Sequence, residues 1–317
     1  MFRPTLPLAA LLLAAHPAAG GDFPVTVTSC DRPVTFEAAP ERAITHGSNL
    51  VEIMLALGLE DRILGYGSRI ERGEAAIDLF PAAAALRPLQ RGYPTLEVLL
   101  EEGTDFYFAG WSYGMRVGGE VTPESLGRYG IPVYELSESC IRLGQVNRPG
   151  FDYLFRDLRN LAAIFGVPDR AEALIAGYQA RLDRVAQDVA GQANRPRVFV
   201  YDSGDRAPLT AGGYSMPQAI IDAAGGVNIA QDIDSNWVRI DWEPVAARDP
   251  QVVVIVDYEI MADDKIALMK SHPGFTHVAA IRDDRFLVLG YDDLTPGPRN
   301  IQAVERLADF LHGADRP

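Results

Sequence analysis

Three kinds of residue in this chain have the chemistry to act on something. The first is a set of aromatics and arginines in short glycine-rich stretches: "GYGSR" (residues 65–69), "RGY" (91–93), "GWSYGMR" (110–116), "AGGYSM" (211–216), "SNW" (235–237), "DYE" (257–259) and "GYDDLTP" (290–296). They contribute Tyr66, Tyr93, Trp111, Tyr113, Tyr214, Trp237, Tyr258 and Tyr291, with Arg69, Arg91, Arg116 and Arg239 in or beside them. Rings give large, rigid contact area at low entropic cost, and guanidinium groups pair with oxyanions. Together they suit a bulky organic ligand carrying negative charge better than a sugar or an amino acid. The second kind is Ser112, in a "GWSYG" that fits the G-x-S-x-G pattern of a serine hydrolase elbow. That elbow needs a helix directly after the serine, and "MRVGGEV" has no helical pattern, so this reading is the weaker one. The third kind is histidine. His46, His272, His277 and His312 remain once the N-terminal segment is set aside, and only His46 falls in an expected strand-end loop, "THGSN" (residues 45–49). A bare metal site needs several ligands converging, so no direct metal centre is expected, with His46 the one candidate.

Two glutamates raise a separate question. "TLEVLLEEGTDFYFAG" (residues 95–110) and "DWEPVAARDPQVVVIVD" (241–257) have the same plan of a glutamate, a short helix, an aspartate-containing turn and a run of β-formers. Glu97 precedes Phe106 by the interval that separates Glu243 from Val252. A second echo pairs "GSNLVEIMLALG" with "GYSMPQAIIDAAGG". On local grounds alone, each glutamate would be an acidic group facing a helix N-terminus.

The elements that must position these residues alternate. "VTVTSC" and "RPVTFEAA" predict an opening hairpin. Short strands at "RAIT", "RILGYG", "DFYFAG" and "IPVYEL" are then separated by single helices, which implies a parallel sheet covered on both faces. In "SNLVEIMLALGL", Asn49 and Glu52 have the spacing of a capping box. Residues 151–192 show no strand pattern and carry apolar residues at helical spacing, with a second helix about 20 residues long. Alternation resumes at "RPRVFVYD" and runs to a closing helix, "RNIQAVERLADFLHG". The fold expected is α/β: two Rossmann-like lobes with mostly parallel sheets, bridged by one long rigid α-helix. The expected boundaries are 21–150 for the first lobe, 151–192 for the helical segment and 193–317 for the second lobe. Ligands of open α/β sheets sit beyond the carboxyl ends of the strands, here between the lobes.

Bulk properties bound the rest. The 317 residues are 48% hydrophobic and 9% aromatic, enough to fill cores. A net charge of -14 repels nucleic acid and anionic lipid, so neither is expected as a partner. Residues 1–20 have a basic start, an apolar stretch too short to span a bilayer and a small-residue "AAG", the pattern of a secretory signal cut near residues 20–21. The mature chain is then a soluble periplasmic protein. In an exported chain the pair Cys30 and Cys140 reads as a disulfide, the alternative being two separate buried thiols.

The stretches "NLVEIMLALGLEDRILGYG", "TLEVLLEEGTDFYFAG", "DAAGGVNIA", "WEPVAARDPQVVVIVD" and "PGPRNIQAVERLADFLH", in that order and spacing, resemble the substrate-binding proteins of ABC importers for ferric siderophores, haem and vitamin B12. The resemblance spans nearly the whole mature chain. It implies a non-enzymatic monomer without an intrinsic cofactor, whose ligand is a ferric siderophore or similar metal–organic chelate. Cobalamin, or haem held by a tyrosine or His46, is the alternative cargo. It also implies that Glu97 and Glu243, one per lobe, dock onto arginines of the dimeric permease.

Overall fold

The computed structural model describes residues 23–68, 79–145, 148, 150–258 and 260–313. The expected signal segment, residues 1–20, lies outside the described residues, as does Arg69.

The chain opens with the expected hairpin. β1 (Val25–Ser29) pairs antiparallel with β2 (Arg32–Phe36), and Pro33 sits within β2. Five strands follow that build the first sheet: β3 (Ala43–His46), β4 (Ile63–Ser68), β5 (Pro88–Arg91), β6 (Phe106–Trp111) and β8 (Val133–Glu135). The two-residue β7 (Gly114–Met115) pairs with the end of β6. Every pairing in this sheet is parallel, in the order β5-β4-β3-β6, with β8 on the far side of β6. The second lobe repeats the idea with four parallel strands. β9 (Arg197–Tyr201) lies between β11 (Val227–Asn228) and β13 (Val252–Asp257), and β14 (Phe286–Gly290) closes the edge. A small antiparallel ribbon of β10 (Leu209–Ala211) and β12 (Trp237–Arg239) stands beside it. In each lobe the chain moves to one side of its first strand and then crosses to the other. The order reverses between β3 and β6, and again between β9 and β13.

The bridging helix is Pro168–Val189, 22 residues or roughly 33 Å long. Pro168 suits its first turn, where an amide hydrogen would have no partner. Ala171, Ile175, Tyr178 and Val185 form its buried stripe. It packs on helix Phe151–Ile164 at one side and on the closing helix Asn300–His312 at the other. Polar anchors tie it to both lobes. Arg170 donates to the carbonyls of Leu57 and Gly58 at 3.0 and 2.7 Å, in the first lobe. Arg181 pairs with Glu305 of the closing helix at 2.6 Å, in the second. One apolar cluster runs from Leu50 and Phe108 through Ile175 and Tyr178 to Ile301 and Leu307, so the core is continuous across the bridge.

The Cys30–Cys140 disulfide is formed and ties the hairpin turn to the 3-10 turn Ser137–Leu143. The capping box at residues 49–52 is a correction. Helix Ser48–Ala56 has Gly47 at its N-cap and no side-chain cap. Asn49 donates instead to the carbonyl of Pro296 at 2.9 Å, and Glu52 accepts from Arg299 at 2.8 Å. Both side chains serve the other lobe, where their partners are a carbonyl and a guanidinium. Among the described residues no helix is long and apolar enough to cross a membrane.

Candidate functional site

A cavity of about 460 Å³ opens between the lobes at the carboxyl ends of the strands. From the first lobe it is lined by His46 at the end of β3, Gly47 and Ser48 just after it, Ser68 at the end of β4, Tyr93 after β5, and Ser112 and Tyr113 after β6. From the second it takes Ser203 after β9, Arg239 at the end of β12, Tyr258 after β13 and Tyr291 after β14. Both points of order reversal, β3/β6 and β9/β13, face this space. Crevices of open α/β sheets bind ligands at such points.

Each lining ring is held. Tyr93 donates its hydroxyl to the carbonyl of Ser112 at 2.6 Å, and the His46 ring meets it edge-on at 4.7 Å. The Arg116 guanidinium lies over the same Tyr93 ring at 4.8 Å. Opposite, Tyr258 donates to Asp202 at 2.6 Å and packs on Tyr291 at 5.4 Å between ring centres. Buried Lys265 lies under Tyr258, its ammonium 4.7 Å from the ring centre and 2.5 Å from the carbonyl of Val256. Tyr113 donates to Glu138 at 3.3 Å. Burial, with the carboxylates of Glu138 and Asp292 nearby, pushes the phenols of Tyr113 and Tyr291 well above their usual range. These phenols are therefore neutral donors and acceptors at any ordinary pH.

The sequence candidates divide. Tyr93, Tyr113, Arg239, Tyr258, Tyr291 and His46 are brought together in the cleft. Arg116 stands at its rim over Tyr93. Arg91 is exposed at the end of β5. Tyr66 is buried in the core. Tyr214 and Trp237 are half-buried and do not line the cavity. Trp111 points away from it: its indole N–H donates to buried Glu135 at 2.8 Å, on the outer flank of the first lobe. The serines at positions 48, 68, 112 and 203 and the Gly47 backbone were not singled out as ligand groups from the sequence. Their placement at a strand end or one or two residues beyond it was the available signal. Ser112 has the left-handed backbone an elbow would give it, φ 74°. It is followed by β7, however, where an elbow would start a helix. Among the described residues no group of three or more His, Cys, Asp or Glu is arranged to hold a metal ion.

Glu97 and Glu243 occupy matching places. Each is exposed, at the second position of a six-residue helix, Leu96–Glu101 or Trp242–Ala247. Each helix leads into a six-residue strand that adjoins its lobe's first strand, β6 beside β3 and β13 beside β9. The internal echo in the sequence is thus a repeated structural unit.

Residues 123–292 match the periplasmic binding protein family, and the chain belongs to that family. It is 24% identical over 302 residues to a cobalamin-binding protein of Halobacterium salinarum, an alignment covering 92% of this chain and 74% of the relative. Among solved structures, a periplasmic binding protein from Veillonella parvula superposes with a TM-score of 0.79 at 25% identity, covering 91% of this chain and 97% of the other. An ABC-type Fe3+-hydroxamate transport system protein from Saccharomonospora viridis superposes with a TM-score of 0.78 at 25% identity, covering 92% and 99%.

Proposed function

We propose that this chain, exported and freed of its signal segment, captures a bulky metal–organic chelate in the interlobe cleft and hands it to an ABC importer. The observation that carries this is the lining: four aromatic rings from both lobes around a cavity rimmed by serine hydroxyls. Flat faces for a ring system and neutral hydrogen-bonding groups for its periphery are what a large chelate needs. Among such cargoes a corrinoid, with its rim of neutral amides, is favoured by the lining, in which Arg239 is the sole cation among the described residues. Similarity to a cobalamin-binding protein supports the same reading. A ferric siderophore is the second reading. It rests on Arg239 together with Arg116 at the rim, and on the likeness to an Fe3+-hydroxamate transport protein. Glu97 and Glu243 are the handles on each lobe for the permease, since a carboxylate facing an arginine fixes orientation as well as charge.

Calorimetric titration with cyanocobalamin, a ferric trihydroxamate and haemin separates these readings. Saturable binding of cyanocobalamin alone at submicromolar affinity is the expected result. Binding of the hydroxamate alone replaces the corrinoid with the siderophore. No binding to any of the three overturns the capture of a chelate.

A further inference from the structure

The lobes meet at the base of the cleft through polar contacts that include two buried carboxylates of the first lobe, Glu52 and Glu138. Glu52, 1% exposed, accepts from Arg299 at 2.8 Å. One turn earlier on the same helix, Ser48 donates to Asp292 at 2.5 Å and Asn49 to the carbonyl of Pro296 at 2.9 Å. Glu138, 2% exposed, accepts the backbone N–H of Met216 at 2.8 Å, at the start of helix Met216–Ala223 in the second lobe. These contacts adjoin the cavity directly. Ser48 lines it and begins the helix that carries Glu52, while Tyr113 lines it and donates to Glu138.

We propose that Glu52 and Glu138 form a proton-operated clasp between the lobes, which holds the cleft shut when they are protonated and loosens as they ionise. Parting the lobes would return both carboxyl groups to water, and so to the usual carboxylate range near 4.5. In the joined state burial is the dominant influence on each and holds it up at about 7. At Glu52, burial outweighs the Arg299 hydrogen bond, and Asp292 and Asp293 push the same way. Tyr178 of the bridging helix is the other titratable group facing it. At Glu138, burial outweighs the Met216 N–H, the Tyr113 hydroxyl and the charge of Arg142, with Asp157 adding to the rise. The joined state therefore binds more protons than the parted state between about 4.5 and 7, so acid favours it. Its advantage is complete below the lower value and fades as pH rises through the upper one. Even a small part of the available shift at each site would change the equilibrium between joined and parted lobes about tenfold or more.

The test uses the cargo-free chain, so it does not depend on which chelate is bound. Spin labels at Glu101→Cys and Asp264→Cys, one exposed position in each lobe, report the interlobe distance by double electron–electron resonance from pH 5.5 to 8.5. The population of the longer distance should grow about tenfold, with a midpoint near 7. Glu52→Gln with Glu138→Gln, which keeps size and removes ionisation, should hold the short distance throughout. A distance distribution indifferent to pH in the otherwise unaltered chain overturns the proposal. So does an unchanged pH response in the double variant. Should that variant not fold, side-chain carboxyl titration by NMR in the unaltered chain decides the matter: Glu52 and Glu138 with ordinary pKa values would overturn it.

Discussion

Glu135 shows how much one buried charge organises. It is 1% exposed at the end of β8 and accepts three hydrogen bonds, from the Trp111 indole, the Ser29 hydroxyl and the Arg32 guanidinium, at 2.7 to 2.8 Å. Ser29 adjoins the disulfide, and Trp111 adjoins the cleft residue Ser112. Removing the carboxylate strands an indole N–H and a hydroxyl in the interior and leaves the Arg32 charge without its partner. Leaving a buried donor without its partner costs about 1 to 3 kcal/mol, whereas the half-exposed Arg32 guanidinium can return to water. Glu135→Ala should therefore lower stability by about 3 kcal/mol in urea unfolding, with cargo affinity nearly kept. A loss below about 1 kcal/mol would mean that water enters and replaces the carboxylate. The same residues show why the sequence placed some ligand groups well and others not. Along β6, Tyr107, Ala109 and Trp111 share the outer cluster, while Phe106 and Phe108 face the central one. Strand side chains alternate, so Trp111 belongs with Tyr107 and away from the cleft. That parity was present in "DFYFAGW", but which face was which depended on the bridging helix, on which a strand's own pattern is silent. His46, Tyr93, Tyr258 and Tyr291, at or just past strand ends, are the ones that the tertiary arrangement turns into the crevice, whereas Arg91 and Trp111, the last residues of β5 and β6, do not line it.

At the scale of elements, the alternation of helices and strands was legible because each carries its own period and its own punctuation. The parallel sheets, the repeated helix-then-strand unit and the bridge all follow from it. What was not legible was where elements of the two lobes touch. Asn49 and Glu52 had the spacing of a local cap, and only the tertiary arrangement diverts them to Pro296 and Arg299. The small β7 turn is a further case. Gly114 sits at φ 99°, and a Cβ there would lie 2.5 Å from the Tyr107 hydroxyl and 2.6 Å from the His46 Cβ. Only glycine lets the β6–β7 turn close over His46. Gly114→Ala combines left-handed strain with overpacking, each costing about 1 to 2 kcal/mol, and should lower stability by about 3 kcal/mol. Because the clash falls on His46, cargo affinity should drop together with stability. A variant that loses stability and keeps full affinity would show that His46 and its loop do not touch the cargo.

Across the whole molecule, the cleft and the proposed docking handles are linked by very short paths. Tyr93 lines the cavity and Glu97 follows four residues later; Arg239 lines it and Glu243 follows four residues later. Each path ends on a helix packed into its lobe, with Leu99 buried in one and Trp242 and Val245 in the other. The bridging helix is anchored at Arg170 and Arg181, so we expect it to oppose wide separation of the lobes and to keep changes in the spacing between the two glutamates small. A permease that reads both handles at once then measures the small lobe movement that cargo or protons allow. If each carboxylate–arginine contact contributes about 1.5 kcal/mol, losing both weakens docking by about 3 kcal/mol. That is roughly a hundredfold in affinity for the permease. Glu97→Ala with Glu243→Ala should therefore cut cargo uptake about a hundredfold at limiting protein, while the calorimetric affinity for cargo stays within about twofold. Each single variant should fall between, near tenfold, because the two contacts are far apart and add. Equal loss of uptake and of cargo affinity would place these glutamates in the cleft's own machinery and would remove the docking role.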